Sequence, residues 1–155
     1  MDLSIWTINS VLLTTFETSL MNRKILLDSN ILVYALEQSN PYHQKAEALI
    51  LNAGFDFFVT TKNISEYFAV CSKLDVPSDK SWSFYESLCL NAEILFPTQT
   101  SLGIFETLLK KYQPRGNRVY DIEIVSIALA NGISEICTVN VKDFSGVTEI
   151  TVAPL

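Results

Sequence analysis

Short apolar runs of strand length alternate with longer stretches of helical periodicity along the chain. This alternation restricts the fold more than any other feature. Lys24–Leu27, Phe55–Thr60, Ala92–Phe96, Glu135–Val139 and Glu149–Val152 read as strands. Between them, the Asn40-Pro41 pair predicts a helix running to about Ala53, where Gly54 can close it. Thr61 or Asn63 can cap a helix that carries Ile64, Tyr67, Phe68 and Cys71 on one face. Pro77-Ser78-Asp79 opens a helix to about Leu90, and Pro97-Thr98 leads into another through Tyr112. After the loop Pro114–Asn117, an apolar helix spans Arg118–Ala130 and ends at Asn131-Gly132. Strands separated by helices predict an α/β protein with a mainly parallel sheet covered on both faces. Ligands of such sheets bind outside the carboxyl ends of the strands, so polar residues just after strands are the candidates for chemistry.

The 155 residues fit one domain, and at 48% hydrophobic the chain can bury a core without disulfide staples. Cys71, Cys89 and Cys137 lack CxxC spacing and predict buried, reduced thiols, as expected of a cytoplasmic protein. His43 is the only histidine and lies far from every cysteine, which leaves no zinc set; it reads as a surface residue. The longest apolar run, Ile31–Leu36, is too short to span a bilayer. Residues 1–22 read as an N-terminal extension: no basic segment precedes Val11-Leu12-Leu13, so a signal peptide is rejected, and Met21 opens a stretch resembling a natural start. Residues 23–155 form the expected domain. The net charge of −6 argues against nucleic-acid binding through bulk charge, but two divalent cations would bring it to −2 where a phosphate arrives.

Four places satisfy the filter or lie close to it. Asp28 follows the first strand, and Glu66 lies early in the helix after the second. Asp121 lies in the first turn of the apolar helix, and Asn140, with Asp143 three residues on, follows the fourth strand. Singly, each has a plain structural explanation: Asp28 as a helix cap, Glu66 in a capping box with Asn63, Asp121 on a helix dipole, Asn140 and Asp143 in a turn. Together they put several acids near one sheet edge. Like charges repel there unless a cation is present, and oxygen-only donors favour Mg²⁺ or Mn²⁺.

Ile25-Leu26-Leu27-Asp28-Ser29-Asn30, Ile64-Ser65-Glu66-Tyr67-Phe68, Tyr120-Asp121-Ile122-Glu123 and Thr138-Val139-Asn140-Val141-Lys142-Asp143-Phe144 resemble, in order, the four motifs of PIN-domain proteins. The resemblance covers roughly Arg23 to Leu155. It implies a three-layer α/β/α fold and a ribonuclease using one or two Mg²⁺ or Mn²⁺ ions. Asp28, Asp121 and Glu66 match the family's metal-binding acids. Asn140 stands where many relatives have aspartate, so Asp143 is the candidate to supply the missing charge. The compact chain also resembles the toxin of a VapBC toxin–antitoxin pair, which implies an RNA substrate, an antitoxin partner and a homodimer. A PIN fold that has lost catalysis and acts by binding RNA or protein is the alternative, and Asn140 is its motive. Of the basic residues, Arg115 and Arg118 flank the loop before Asp121 and are the best candidates for an RNA backbone, ahead of Lys62, Lys110 and Lys111.

Ser29 and Asn30 can bond to Asp28 or a phosphate, or simply start a helix. Thr138 reads as an orienting group for Asn140 or as an ordinary strand residue. Glu123 reads as a surface charge, and Trp82, Phe84 and Tyr85 as core or dimer interface. A haloacid-dehalogenase-type phosphatase needs Asp-x-Asp after its first strand, where this chain has Asn30. A phosphotransfer receiver needs a phosphoacceptor aspartate that Val59-Thr60-Thr61 does not supply.

Overall fold

Residues 22–155 are described by a computed structural model. The N-terminal extension therefore lies outside the described residues except for Asn22. The described elements are β1 (Arg23–Leu27), α1 (Ser29–Leu36), α2 (His43–Ile50), β2 (Phe55–Thr60), α3 (Thr61–Lys73), α4 (Ser78–Asn91) and β3 (Ala92–Leu95). They continue with α5 (Gln99–Tyr112), α6 (Arg118–Ala130), β4 (Glu135–Cys137), α7 (Val141–Phe144) and β5 (Thr151–Ala153). The five strands form one sheet in the order β3-β2-β1-β4-β5, and all four pairings are parallel.

Side chains alternate across a strand, and here the alternation assigns residues to two cores. Leu26, Phe58 and Ile136 face one side, with Leu108 of α5, Ile122, Ile124, Val125, Ile127 and Ala128 of α6 and Phe144 of α7. Ile25, Leu27, Phe57, Val59 and Cys137 face the other, with Ile31 and Leu32 of α1, Tyr67 and Cys71 of α3 and Leu88 of α4. The predicted three layers follow. No described helix is long and apolar enough to cross a membrane.

Several element ends differ from expectation. The cap of α3 is Thr60, not Thr61 or Asn63. Its hydroxyl accepts from the Asn63 amide at 3.1 Å, while the Asn63 side-chain oxygen accepts from the Thr60 amide at 3.0 Å. This reciprocal box leaves Glu66 out of the capping and free to face elsewhere. Helix α2 is shorter than predicted at both ends; it starts late because Asn40 accepts from the Tyr42 amide at 2.9 Å and holds Pro41 in a turn. β4 ends at Cys137, and β5 is shifted to Thr151–Ala153. His43 is half-buried rather than a surface residue, its Nδ1 lying 3.1 Å from the Tyr34 carbonyl oxygen. Cys71 and Cys137 are buried, but Cys89 is exposed. Phe84 packs on Tyr67, whereas Trp82 leans on Phe68 with half its surface exposed.

The strand order positions the site. From β1 the chain winds outward through β2 and β3, then returns to place β4 on the other side of β1. Connections leaving β1 and β4 thus diverge and open a crevice at their carboxyl ends. Helix α6 descends to the start of β4, so its N-terminus sits at that same edge.

Candidate functional site

A cleft of about 740 Å³ opens at this edge. All eight sequence-predicted site residues line it: Asp28 and Asn30 from the start of α1, Glu66 from α3, Asp121 from α6, Asn140 and Asp143 from the segment after β4, and Arg115 and Arg118 at the loop before α6. Lys62 and Lys111 are engaged elsewhere. Lys62 pairs with Glu123 at 3.4 Å and sits 4.1 Å from the centre of the Tyr120 ring, and Lys111 pairs with Glu149 at 2.7 Å. Lys110 is not among the cleft residues.

Asp28 caps α1 and is only 6% exposed, yet its carboxylate is well supplied with donors. Oδ1 accepts from the Ser29 amide at 2.8 Å. Oδ2 accepts from Asn30 Nδ2 at 2.7 Å and from the Thr138 hydroxyl at 2.6 Å. Thr138 is fully buried, and its Oγ1 also accepts from Asn30 Nδ2 and from the Asn140 amide, each at 3.0 Å. Thr138 is therefore more than a strand residue: one hydroxyl ties the end of β1 to the segment after β4. The Ser29 hydroxyl donates to Glu66 Oε2 at 2.8 Å and links the second acid to the first. Both residues beside Asp28 thus do more than start a helix.

The electrostatics are those of an acid cluster. Burial pushes the Asp28 carboxyl above its ordinary range, hydrogen bonds from Thr138 and Ser29 oppose this, and the charges of Glu66 and Asp143 add to it. Asp121 is raised to about 6, first by burial and then by Asp143, Asp28 and Glu66, with Arg118 opposing. The dipole of α6 favours an acid in its first turn, but burial and the neighbouring acids still leave Asp121 raised.

Such a field is relieved by a divalent cation. All-oxygen carboxylate donors suit Mg²⁺ or Mn²⁺, which keep several waters and need only one or two protein carboxylates. Among the described residues no three acid side chains are grouped to hold a metal ion by themselves.

The rest of the cleft wall does not stand out in the sequence. Val33 and Tyr34 on α1 and Ala69 and Val70 on α3 complete it. They stand three and four residues beyond Asn30 and Glu66, the helical spacing that shares a face. That spacing is the signal that could have found them.

Comparison with curated proteins gives no match. Among solved structures, the chain is similar to VapBC2 from Rickettsia felis bound to a DNA fragment from their promoter, at 21% identity and a TM-score of 0.64, covering 85% of this chain and 98% of that one. It is also similar to a toxin–antitoxin complex from Klebsiella pneumoniae, at 19% identity and TM-score 0.61, covering 82% and 95%. A third likeness is to VapC20 of Mycobacterium tuberculosis, a sarcin–ricin loop cleaving toxin, at 11% identity and TM-score 0.59, covering 72% and 86%. At these identities the likeness concerns the fold. The family is decided by the sequence itself, since the model of the PIN domain matches residues 25–149. With the four-motif order, the parallel sheet and the acid-lined cleft at its carboxyl edge, the chain belongs to the PIN domain family.

Proposed function

We propose that this protein is a ribonuclease dependent on Mg²⁺ or Mn²⁺, and that it is the toxin of a toxin–antitoxin pair. One observation carries the reading: Asp28, Glu66, Asp121 and Asp143 share a cleft with Arg115 and Arg118. Acids alone would repel a phosphodiester, and basic residues alone would only bind it. A divalent ion bound there supplies Lewis-acid polarisation of a phosphate oxygen and a water that ionises near neutral pH. Asp28 and Asp121 are the carboxylates that would hold it. Glu66, which accepts from the Ser29 hydroxyl, would help hold that water or a second ion. Asn140 brings a neutral amide, and Asp143 brings the charge that Asn140 lacks. Arg115 and Arg118 draw in the RNA backbone, and no side chain need act as nucleophile. An antitoxin is the partner of this reading, supported by similarity to VapBC2 and to the Klebsiella toxin–antitoxin complex; a second copy of the chain is the other partner proposed.

The test uses protein purified free of any partner and incubated with cellular RNA. Cleavage is expected with Mg²⁺ or Mn²⁺, is lost in EDTA, and returns when the ion is added in excess. Cleavage that survives chelation would overturn the metal-dependent reading. Absence of cleavage with RNA binding retained would favour the binding-only alternative, for which Asn140 in place of an acid is the specific motive.

A further inference from the structure

The cleft has a wall that phosphodiester hydrolysis does not need. One helical turn beyond Asn30 and Glu66, α1 presents Val33 and Tyr34, and α3 presents Ala69 and Val70. The ring of Tyr34 is already stacked. It lies 5.6 Å from the ring of Tyr42 with 20° between the planes, and Tyr42 is 37% exposed. The backbone beside the pair is also tied, because His43 Nδ1 lies 3.1 Å from the Tyr34 carbonyl oxygen. Tyr34 is therefore an aromatic surface held at a set angle inside the cleft.

We infer that this wall is a nucleobase subsite in which a base of single-stranded RNA, next to the phosphate held at the acids, stacks on Tyr34. The inference rests on the ribonuclease reading above and adds how the strand is held. Three features of the cleft match one nucleotide. Arg115 and Arg118 suit the phosphate, the acids would hold a cation beside it, and the apolar wall suits an unstacked base. The volume, about 740 Å³, is in the range of small-ligand sites. A base in a duplex cannot offer its face to a side chain, so the subsite selects loops and single strands. Stacking tolerates any base, because each has a π-face, so the subsite contributes affinity and register more than base identity. The existing Tyr34–Tyr42 pair means that an entering base extends a stack two rings deep, with little ordering left to do.

The test measures equilibrium binding by fluorescence anisotropy, without cleavage, on full-length protein made inactive by Asp28→Asn. Two probes are used: an unstructured mixed-sequence oligoribonucleotide and a backbone of equal length lacking all bases. Tyr34→Ala is expected to weaken binding of the first by about tenfold and leave the second unchanged. Tyr34→Phe and Tyr34→Trp keep the affinity, since the π-face remains. Tyr34→Leu, which keeps apolar bulk, behaves like alanine. Thermal melts of each variant show whether α1 and α2 stay packed. Equal losses on both probes in Tyr34→Ala, or a loss in Tyr34→Phe as large as in Tyr34→Ala, would overturn the subsite. So would parent protein that binds both probes equally. A parent that binds neither probe overturns the ribonuclease reading instead.

Discussion

Asp121→Asn lowers the single-turnover rate of RNA cleavage by roughly a thousandfold, about 4 kcal/mol of transition-state stabilisation. In the same protein, without divalent ions, it raises the melting temperature. The two effects share one cause. The Asp121 carboxyl is pushed up to about 6, against an ordinary value of 3.8, by burial and by Asp143, Asp28 and Glu66. A folded-state value above the unfolded one means that the favourable contribution is complete below about pH 4 and is lost as pH rises through about 6. At neutral pH the ionised group therefore opposes folding. A tenfold change in proton affinity is worth about 1.4 kcal/mol; discounted for partial exposure, the substitution stabilises the metal-free protein by about 1–2 kcal/mol. For a chain of this size that is a rise of about 2–8 °C. Magnesium should reverse the order, stabilising the parent by mass action and the variant far less. Melts in EDTA at about pH 5 and about pH 7.5 establish the direction, since the parent loses stability between them and Asp121→Asn loses less. If the variant cleaves within a few-fold of the parent, or if Mg²⁺ stabilises both alike, Asp121 does not hold the ion.

The divided effect of this substitution also explains what is readable in the residues alone. An acid immediately after an apolar strand is visible in sequence, and so is an acid in the first turn of an apolar helix. Asp28 and Asp121 are recognisable for those reasons. Their convergence is not, because it depends on β4 lying beside β1, and no local pattern states strand order. The bond from Thr138 to Asp28 spans 110 residues. Tyr34 is hidden differently. It lies in the run Ile31–Leu36, where the apolar neighbours make it look like core, and Ile31 and Leu32 are indeed buried. Its place on the cleft side emerges only by counting helical spacing from Asn30. The cap of α3 departs from expectation because Asn63 takes the role that Glu or Gln more often fills in a capping box. Helix α2 starts later than its Asn-Pro signal suggests because Asn40 bonds within a turn before the helix begins.

Thr138→Val tests how that long-range convergence is held. Valine matches threonine closely in shape, so the substitution removes a hydroxyl without opening a cavity. The hydroxyl donates to Asp28 Oδ2 at 2.6 Å and accepts from Asn30 Nδ2 and the Asn140 amide. Its removal leaves a buried carboxylate with one donor fewer and two donors without their acceptor at this point. Hydrogen bonds to charged groups contribute about 1.5–3 kcal/mol, and an unmet buried donor adds to the loss. The expected destabilisation is about 2–4 kcal/mol, a fall in melting temperature of about 4–16 °C. Cleavage should fall by about 10- to 100-fold, as for other partners that orient a ligand, and the Mg²⁺ concentration for half activity should rise. A merely structural role would not move the pH profile. Here the Thr138 bond holds the Asp28 carboxyl down against burial, so its loss raises that group further and moves the acid limb of the cleavage profile to higher pH. Thr138→Ser keeps the hydroxyl and should keep both the acid limb and most of the rate. A valine variant with reduced stability but an unmoved acid limb and an unchanged Mg²⁺ requirement would reduce Thr138 to packing. It would also leave Asp28 to be positioned by Ser29 and Asn30 alone.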